Sequence, residues 1–309
     1  MTILIFIDSF KAAIKNIFLV SLISILFQSP LYASKTQDSF EVEVLGEGRN
    51  IILIPGLMSD GRVWDALAKE LSKKYRIHII SIAGFAATPK IENQSLDKVK
   101  QQLLAYMVQK KMDKPVIIGH SLGGFMAFWM ASSAPERIGK IISVDGLPFI
   151  GPIFTGSNDS TVKSLSLQAK QLHLGYAGMS SEQLTMQTKF GINRQTTSKI
   201  NQQKVIDMAS QSHPETVGEM VFKLMSIDLR SEISKIIQPV LLLGAAGAFN
   251  HEAGKERARI LYKEQLSANS GARLVMNNQS RHFIMFDQPE WLLSQIQLFL
   301  NTSTLKAVK

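Results

Sequence analysis

A chain of 309 residues with 45% hydrophobic content is long enough for one large domain with a sizeable core and an inserted segment. Its formal net charge is +9, but the lysines and arginines are scattered and aromatics do not interleave with them. That argues against nucleic-acid binding, and leaves solubility or an affinity for anionic lipids and acidic substrates. The absence of cysteine excludes disulfides, thiol catalysis, thiolate zinc sites and a lipoprotein anchor, and no His/Asp/Glu spacing suggests a metal site.

Residues 1–33 read as a targeting segment. Lys11 and Lys15 precede an apolar run from Ile17 to Phe27, about the length of a signal-peptide core. Gln28-Ser-Pro30 breaks the run, and Ala33 offers a small residue for cleavage before Ser34. The run is short for a membrane span, which needs about 20 residues. A second apolar patch, Ile3 to Ile7, keeps an uncleaved anchor as the alternative. The expected location is the periplasm or the medium after cleavage, or the inner membrane if the segment stays.

Phe40 to Leu45 alternates apolar and polar residues, as an edge strand does. Gly46 and Gly48 turn the chain into Asn50 to Leu57, a buried strand that ends in a Pro55-Gly56 loop. Val63-Trp64-Asp65 opens a helix through Leu71, and Arg76 to Ile82 is another strand. Ser95 caps a helix expected to reach Lys111, with Leu96, Val99, Leu103 and Met107 on one face. Val116 to Ile118 is a short buried strand, and Gly124 to Ala134 is a helical run that stops before Pro135. Ile138 to Val144 is the next strand and ends at Asp145-Gly146. Strands alternating with helices of this length predict a parallel sheet with helices on both faces. Ligands bind at the carboxyl ends of such strands, where Leu57, Ser121 and Asp145 all lie.

Between the Val116 strand and its helix stands Gly119-His-Ser121-Leu-Gly123. A Gly-x-Ser-x-Gly sequence in strand–turn–helix context puts the serine in a strained turn with its hydroxyl lifted clear of the backbone. Bulk two residues before or after it would clash, which suits Gly119 and Gly123. The N–H of Leu122, at a helix start, can face a developing oxyanion. Here the sequence resembles the α/β-hydrolase family, whose members carry Gly-His-Ser-Leu/Met-Gly-Gly at this point, and the resemblance runs from about residue 40 to residue 301.

The resemblance implies an α/β-hydrolase fold: a mostly parallel twisted sheet with helices on both faces and an inserted helical cap. The core would comprise 34–146 and 236–309, and the cap 147–235. The family's first oxyanion donor maps to the backbone N–H of Leu57, beside that of Leu122. Pro239 to Gly244 and Ala272 to Met276 would be the family's seventh and eighth strands, closed by a helix over 288–300 with Trp291, Ile296 and Phe299 inward. In the cap, Met179, Met186, Met208, Met220, Phe222 and Met225 either line an adaptable acyl pocket or, as helical spacing suggests, pack the cap on the core.

Of six histidines, only His282 stands between the last strand and the last helix, where the family carries its base. The acid is less plain. The loop after Leu243 has no early carboxylate, and Glu252 comes late in it. Some family members supply the acid at the end of the sixth strand, where Asp145 stands; Asp145 could also be a simple turn residue, which leaves Glu252 or Asp228 as alternatives. The expected chemistry is a Ser121–His282–Asp145 triad cleaving a small or medium acyl ester through an acyl-enzyme, with no metal or organic cofactor. The same sheet hosts thioesterases, lactonases, amidases and carbon–carbon bond hydrolases, and fold cannot separate them. A non-catalytic binding protein and a membrane-tethered interaction protein are the competing classes.

Overall fold

The computed structural model describes residues 38–302. The expected targeting segment, its cleavage point and the anchor alternative lie outside the described residues. Among the described residues no helix is long and apolar enough to cross a membrane.

Seven strands form one sheet: β1 (Phe40–Leu45), β2 (Arg49–Ile54), β3 (Tyr75–Ile82), β4 (Val116–His120), β5 (Ile141–Val144), β6 (Val240–Ala245) and β7 (Ala272–Asn277). Their order across the sheet is β1-β3-β2-β4-β5-β6-β7. Only β1 runs antiparallel, paired with β3; the other pairings are parallel. The expected seventh and eighth strands are therefore the sixth and seventh here, because the family's extra strand has no counterpart among the described residues.

The strands carry apolar side chains on both faces, as a parallel sheet covered on two sides requires. Ile52, Ile54, Ile80, Ile82, Ile117, Ile141 and Leu242 enter one core layer. Ile51, Leu53, Ile77, Ile79, Val116, Ile118 and Leu243 enter the other. The first layer is closed by α2 (Leu96–Gln109) and α3 (Leu122–Ser133), and the second by α1 (Asp65–Leu71) and the last helix. Ser95 caps α2 as expected, its side chain accepting the Lys98 N–H, and Leu96, Val99, Leu103 and Met107 are the buried stripe. The helix stops at Gln109, two residues early, because Lys111 turns to a φ of 51°.

β5 is shorter than expected. Ile138 to Lys140 still bond beside β4, with Gly139 N–H donating to Pro115 O at 2.9 Å. However, the buried Lys140 ammonium is drawn off to the carbonyls of Phe299, Leu300 and Thr302, where it closes the C-terminal end of the last helix.

Between β5 and β6 lie five α-helices, α4 (Gly151–Thr155), α5 (Val162–Ala177), α6 (Ser181–Gln195), α7 (Lys199–Ser210) and α8 (Pro214–Met225), and a 3-10 turn at Glu232–Lys235. Both α5 and α6 start with reciprocal capping boxes, Thr161 with Ser164 and Ser180 with Gln183. Met208, Met220 and Met225 are buried in the core layers, Met179 and Phe222 pack partly against them, and Met186 is exposed. None of these lines the cavity described below, and all but Met186 pack in or against the core layers. After β6 come α9 (Glu252–Gln265), the short α10 (Ile284–Asp287) and α11 (Pro289–Asn301). In α11 the inward residues are Leu292, Ile296 and Phe299, and Trp291 is only half-buried at the rim, one position off the expected stripe.

Candidate active site

The parallel registers bring three strand ends together. Gly119 lies opposite Ile54, and His120 opposite Val144, so the residues after β2, β4 and β5 leave the sheet side by side. Ser121 follows β4 with φ 51° and ψ −112°, strained for a residue bearing a Cβ. The strain is held by its surroundings. A Cβ on Gly119 would lie 2.0 Å from Gly123 O, and one on Gly123 would lie 2.2 Å from Ile54 O. No larger residue fits at either place. Ser121 N–H donates to Val144 O at 2.9 Å and its carbonyl accepts the Phe125 N–H at 3.0 Å, which ties the turn to both β5 and α3.

The N–H of Leu122 is the first of α3 and has no partner within the helix. It stands at the positive end of the helix dipole. The Pro55-Gly56-Leu57 loop passes directly against the elbow: a Cβ on Gly56 would be 3.3 Å from Ser121 Cβ and 2.7 Å from His120 Nδ1. Leu57 follows in a turn closed by Ser59 N–H to Gly56 O at 3.3 Å.

Asp145 ends β5 in the left-handed region, φ 52°, and its N–H donates to Leu243 O at 2.7 Å. It is thus the turn residue that its sequence suggests, and the turn is what raises its carboxylate. Oδ1 accepts from Ala245 N–H and from Tyr262 O–H, both at 2.8 Å. Oδ2 lies 2.6 Å from His282 Nδ1. The Asp145 side chain is 6% exposed and that of His282 27%, so the pair is shielded on one side and open on the other. Burial, and then the neighbouring Asp145 charge, hold the Tyr262 hydroxyl well above its usual range, so it stays a donor.

With Nδ1–H directed at Asp145, His282 keeps Nε2 as an acceptor. Its loop is fixed from both ends. Asn277 Oδ1 accepts from the N–H groups of Gln279 and Ser280, and Asp287 Oδ2 accepts the Arg281 N–H. Asp287 Oδ1 also receives Thr196 Oγ at 2.6 Å and Thr197 N–H at 2.9 Å, which fastens the end of α6 to this loop.

His120 packs under the pair, its ring 4.6 Å from that of His282 and 4.6 Å from that of Phe283. Its Nε2–H donates to His282 O at 3.1 Å. Burial and the adjacent His282 keep it neutral, well below the ordinary imidazole range.

Ser121, Leu122, Asp145, Tyr262 and His282 line one cavity of about 370 Å³, with Phe125, Leu147, Ile150, Ile153 and Leu224 as its apolar wall. The two alternative acids are engaged elsewhere. Glu252 opens α9 and pairs with Lys255 at 2.8 Å, and Asp228 pairs with Arg230 at 2.6 Å. Among the described residues no cluster of His, Asp or Glu could hold a metal ion. Tyr262 and Asp287 escape a reading of the sequence: one is a tyrosine on an amphipathic helix, the other an acid in a short turn, and neither carries a motif.

The α/β hydrolase fold model matches residues 49–175. A pimeloyl-[acyl-carrier protein] methyl ester esterase of Aliivibrio fischeri is 26% identical over 262 residues, 83% of this chain and 95% of that protein. Among solved structures, an esterase from Exiguobacterium antarcticum superposes with a TM-score of 0.70 at 14% identity, covering 85% of this chain and 96% of its own. The enol-lactonase of Burkholderia xenovorans superposes with a TM-score of 0.66 at 18% identity, covering 85% and 96%. With the family-model match and the strand–elbow–helix geometry, these superpositions show that the chain has the α/β-hydrolase fold.

Proposed function

We propose that the chain hydrolyses carboxylic esters of small or medium acyl groups, with Ser121 as nucleophile, His282 as base and Asp145 as its partner. The observation that carries this reading is the 2.6 Å contact of Asp145 Oδ2 with His282 Nδ1 on the cavity that the strained Ser121 also lines. His282 Nε2 takes the Ser121 proton as the hydroxyl oxygen attacks the ester carbonyl. The N–H groups of Leu57 and Leu122 receive the oxyanion. Asp145 keeps the imidazole in the accepting tautomer and stabilises its charged form. The imidazolium then protonates the leaving alkoxide, and His282 activates a water against the acyl-enzyme. The apolar wall from Phe125 to Leu224 suits the acyl chain, and the cavity is of the size that holds a small ligand, roughly 300–1,000 Å³.

The relatives that are methyl ester esterases support the same reaction type. The binding-protein alternative rested on a missing acid after β6, and Asp145 stands in for it. A serine-directed fluorophosphonate tests the reading: it should add one label, at Ser121, and abolish turnover of a chromogenic ester. An unlabelled, folded protein would refute it. We also propose export with cleavage after Ala33. Protein from its native host should then begin near Ser34 by mass spectrometry, and a chain beginning at Met1 in a membrane fraction would favour the anchor.

A further inference from the structure

The cavity has a polarity that ester cleavage by itself does not use. Among the described residues that line it, Arg194 is the only lysine or arginine, set at the rim of a wall that is otherwise largely apolar. The only carboxylate there is Asp145. Its oxygens are already taken by Ala245 N–H, Tyr262 O–H and His282, and it is 6% exposed. Asp145 is therefore not available to balance the guanidinium. No ion pair among the described residues engages Arg194.

The main chain of Arg194 is fixed, and its side chain is exposed at the cavity rim. It lies in the last turn of α6, and its carbonyl accepts the His282 N–H at 3.5 Å. The carbonyl of the next residue, Gln195, accepts the Phe283 N–H at 2.8 Å, and Thr196 is held by Asp287. The arginine is thus tied by main-chain bonds to the residue that bears the imidazole. A ligand that fills the cavity takes part of the water from this exposed cation. Without a counter-charge that desolvation opposes binding, and with one it favours binding and selects among ligands.

We infer that Arg194 is a specificity-determining residue that receives an anionic group, a carboxylate or a phosphate, carried by the ester substrate away from the scissile carbonyl. The inference rests on the ester-hydrolase reading above. The planar fork of a guanidinium matches both anions in bidentate fashion. The apolar wall accommodates a methylene linker between the ester and the anion. The substrates this favours are monoesters of dicarboxylic acids, or acyl esters bearing a phosphate.

Three series of methyl esters of graded chain length test it on the purified protein: neutral monocarboxylic esters, monomethyl dicarboxylates and ω-phosphorylated acyl esters. Wild-type kcat/KM should favour one anionic series over the neutral one at matched length, and which series wins identifies the anion. In Arg194→Gln that ratio should fall about 10- to 100-fold, chiefly through KM, as loss of a hydrogen bond to a charged group predicts. Arg194→Lys should restore part of it, and added salt should erode the wild-type ratio. A merely structural arginine would shift all three series together. An unchanged ratio in Arg194→Gln, or a wild-type preference for neutral esters throughout, overturns the inference while leaving ester hydrolysis standing. Failure to hydrolyse any series, together with no fluorophosphonate label at Ser121, overturns both.

Discussion

Replacing Asp145 by Asn changes one atom and no volume, and the surrounding hydrogen bonds dictate which way the amide turns. Oδ1 accepts from the Ala245 N–H, which can only donate, and from the buried Tyr262 hydroxyl, both at 2.8 Å. The amide oxygen takes that place, because an NH₂ there would face the Ala245 N–H donor to donor and leave it without a partner. The NH₂ then falls where Oδ2 stood, 2.6 Å from His282 Nδ1. An amide there can only donate, so Nδ1 becomes the acceptor and Nε2 carries the proton. An Nε2–H imidazole cannot accept the Ser121 proton. The imidazolium also loses its adjacent negative charge. Together these should lower kcat by about 10²–10⁴. At about 1.36 kcal/mol per decade this is roughly 2.7–5.5 kcal/mol of barrier. The assay is steady-state hydrolysis of a chromogenic ester, with thermal unfolding alongside to show that the variant folds. An Asp145→Asn protein that melts like the wild type and keeps more than a tenth of its turnover would refute the tautomer argument and the role of Asp145 with it.

Ser121→Ala should fold normally and lose about 10⁴–10⁶ in turnover, the scale on which a triad fails as a unit; residual activity above a few per cent would remove Ser121 as nucleophile. His78, away from the site, should make stability fall in mild acid. It is 3% exposed, with Nδ1 2.9 Å from the Tyr106 hydroxyl Oη and Nε2 3.0 Å from Asn50 Oδ1. Burial, and then the charges of Arg76 and Lys110, push its pKa down from 6.5 to about 4. Because the folded value lies below the unfolded one, the unfolded chain binds the proton first. The stability it confers is complete above pH 6.5 and is lost as the pH falls from 6.5 towards about 4. Urea midpoints should drop across that window and drop less in His78→Gln; an equal loss in the variant would sink the assignment.

The elbow was legible because its constraints are local. Gly119 and Gly123 are required by contacts within a few residues and with the neighbouring strand, and the strand–turn–helix pattern is written in adjacent residues. The buried stripe of α2 was legible for the same reason, since a 3.6-residue period needs no partner to be read. The order of Ser121, Asp145 and His282 along the chain was equally available. Distance was not. His282 and Asp145 are separated by 137 residues, and only the β5–β6–β7 register brings them to one end of the sheet. Whether Asp145, Glu252 or Asp228 faces the imidazole depends on where each carboxylate is already bonded, and that is a tertiary fact. Tyr262, Asp287 and Arg194 act through long-range contacts with no periodicity or motif to announce them. The sequence by itself determined the sheet, its helices and the strained serine, because these follow from sterics and hydrophobic spacing along the chain. The tertiary structure alone decided which acid meets the histidine and which cation borders the cavity, because hydrogen bonds and counter-charges are settled in space.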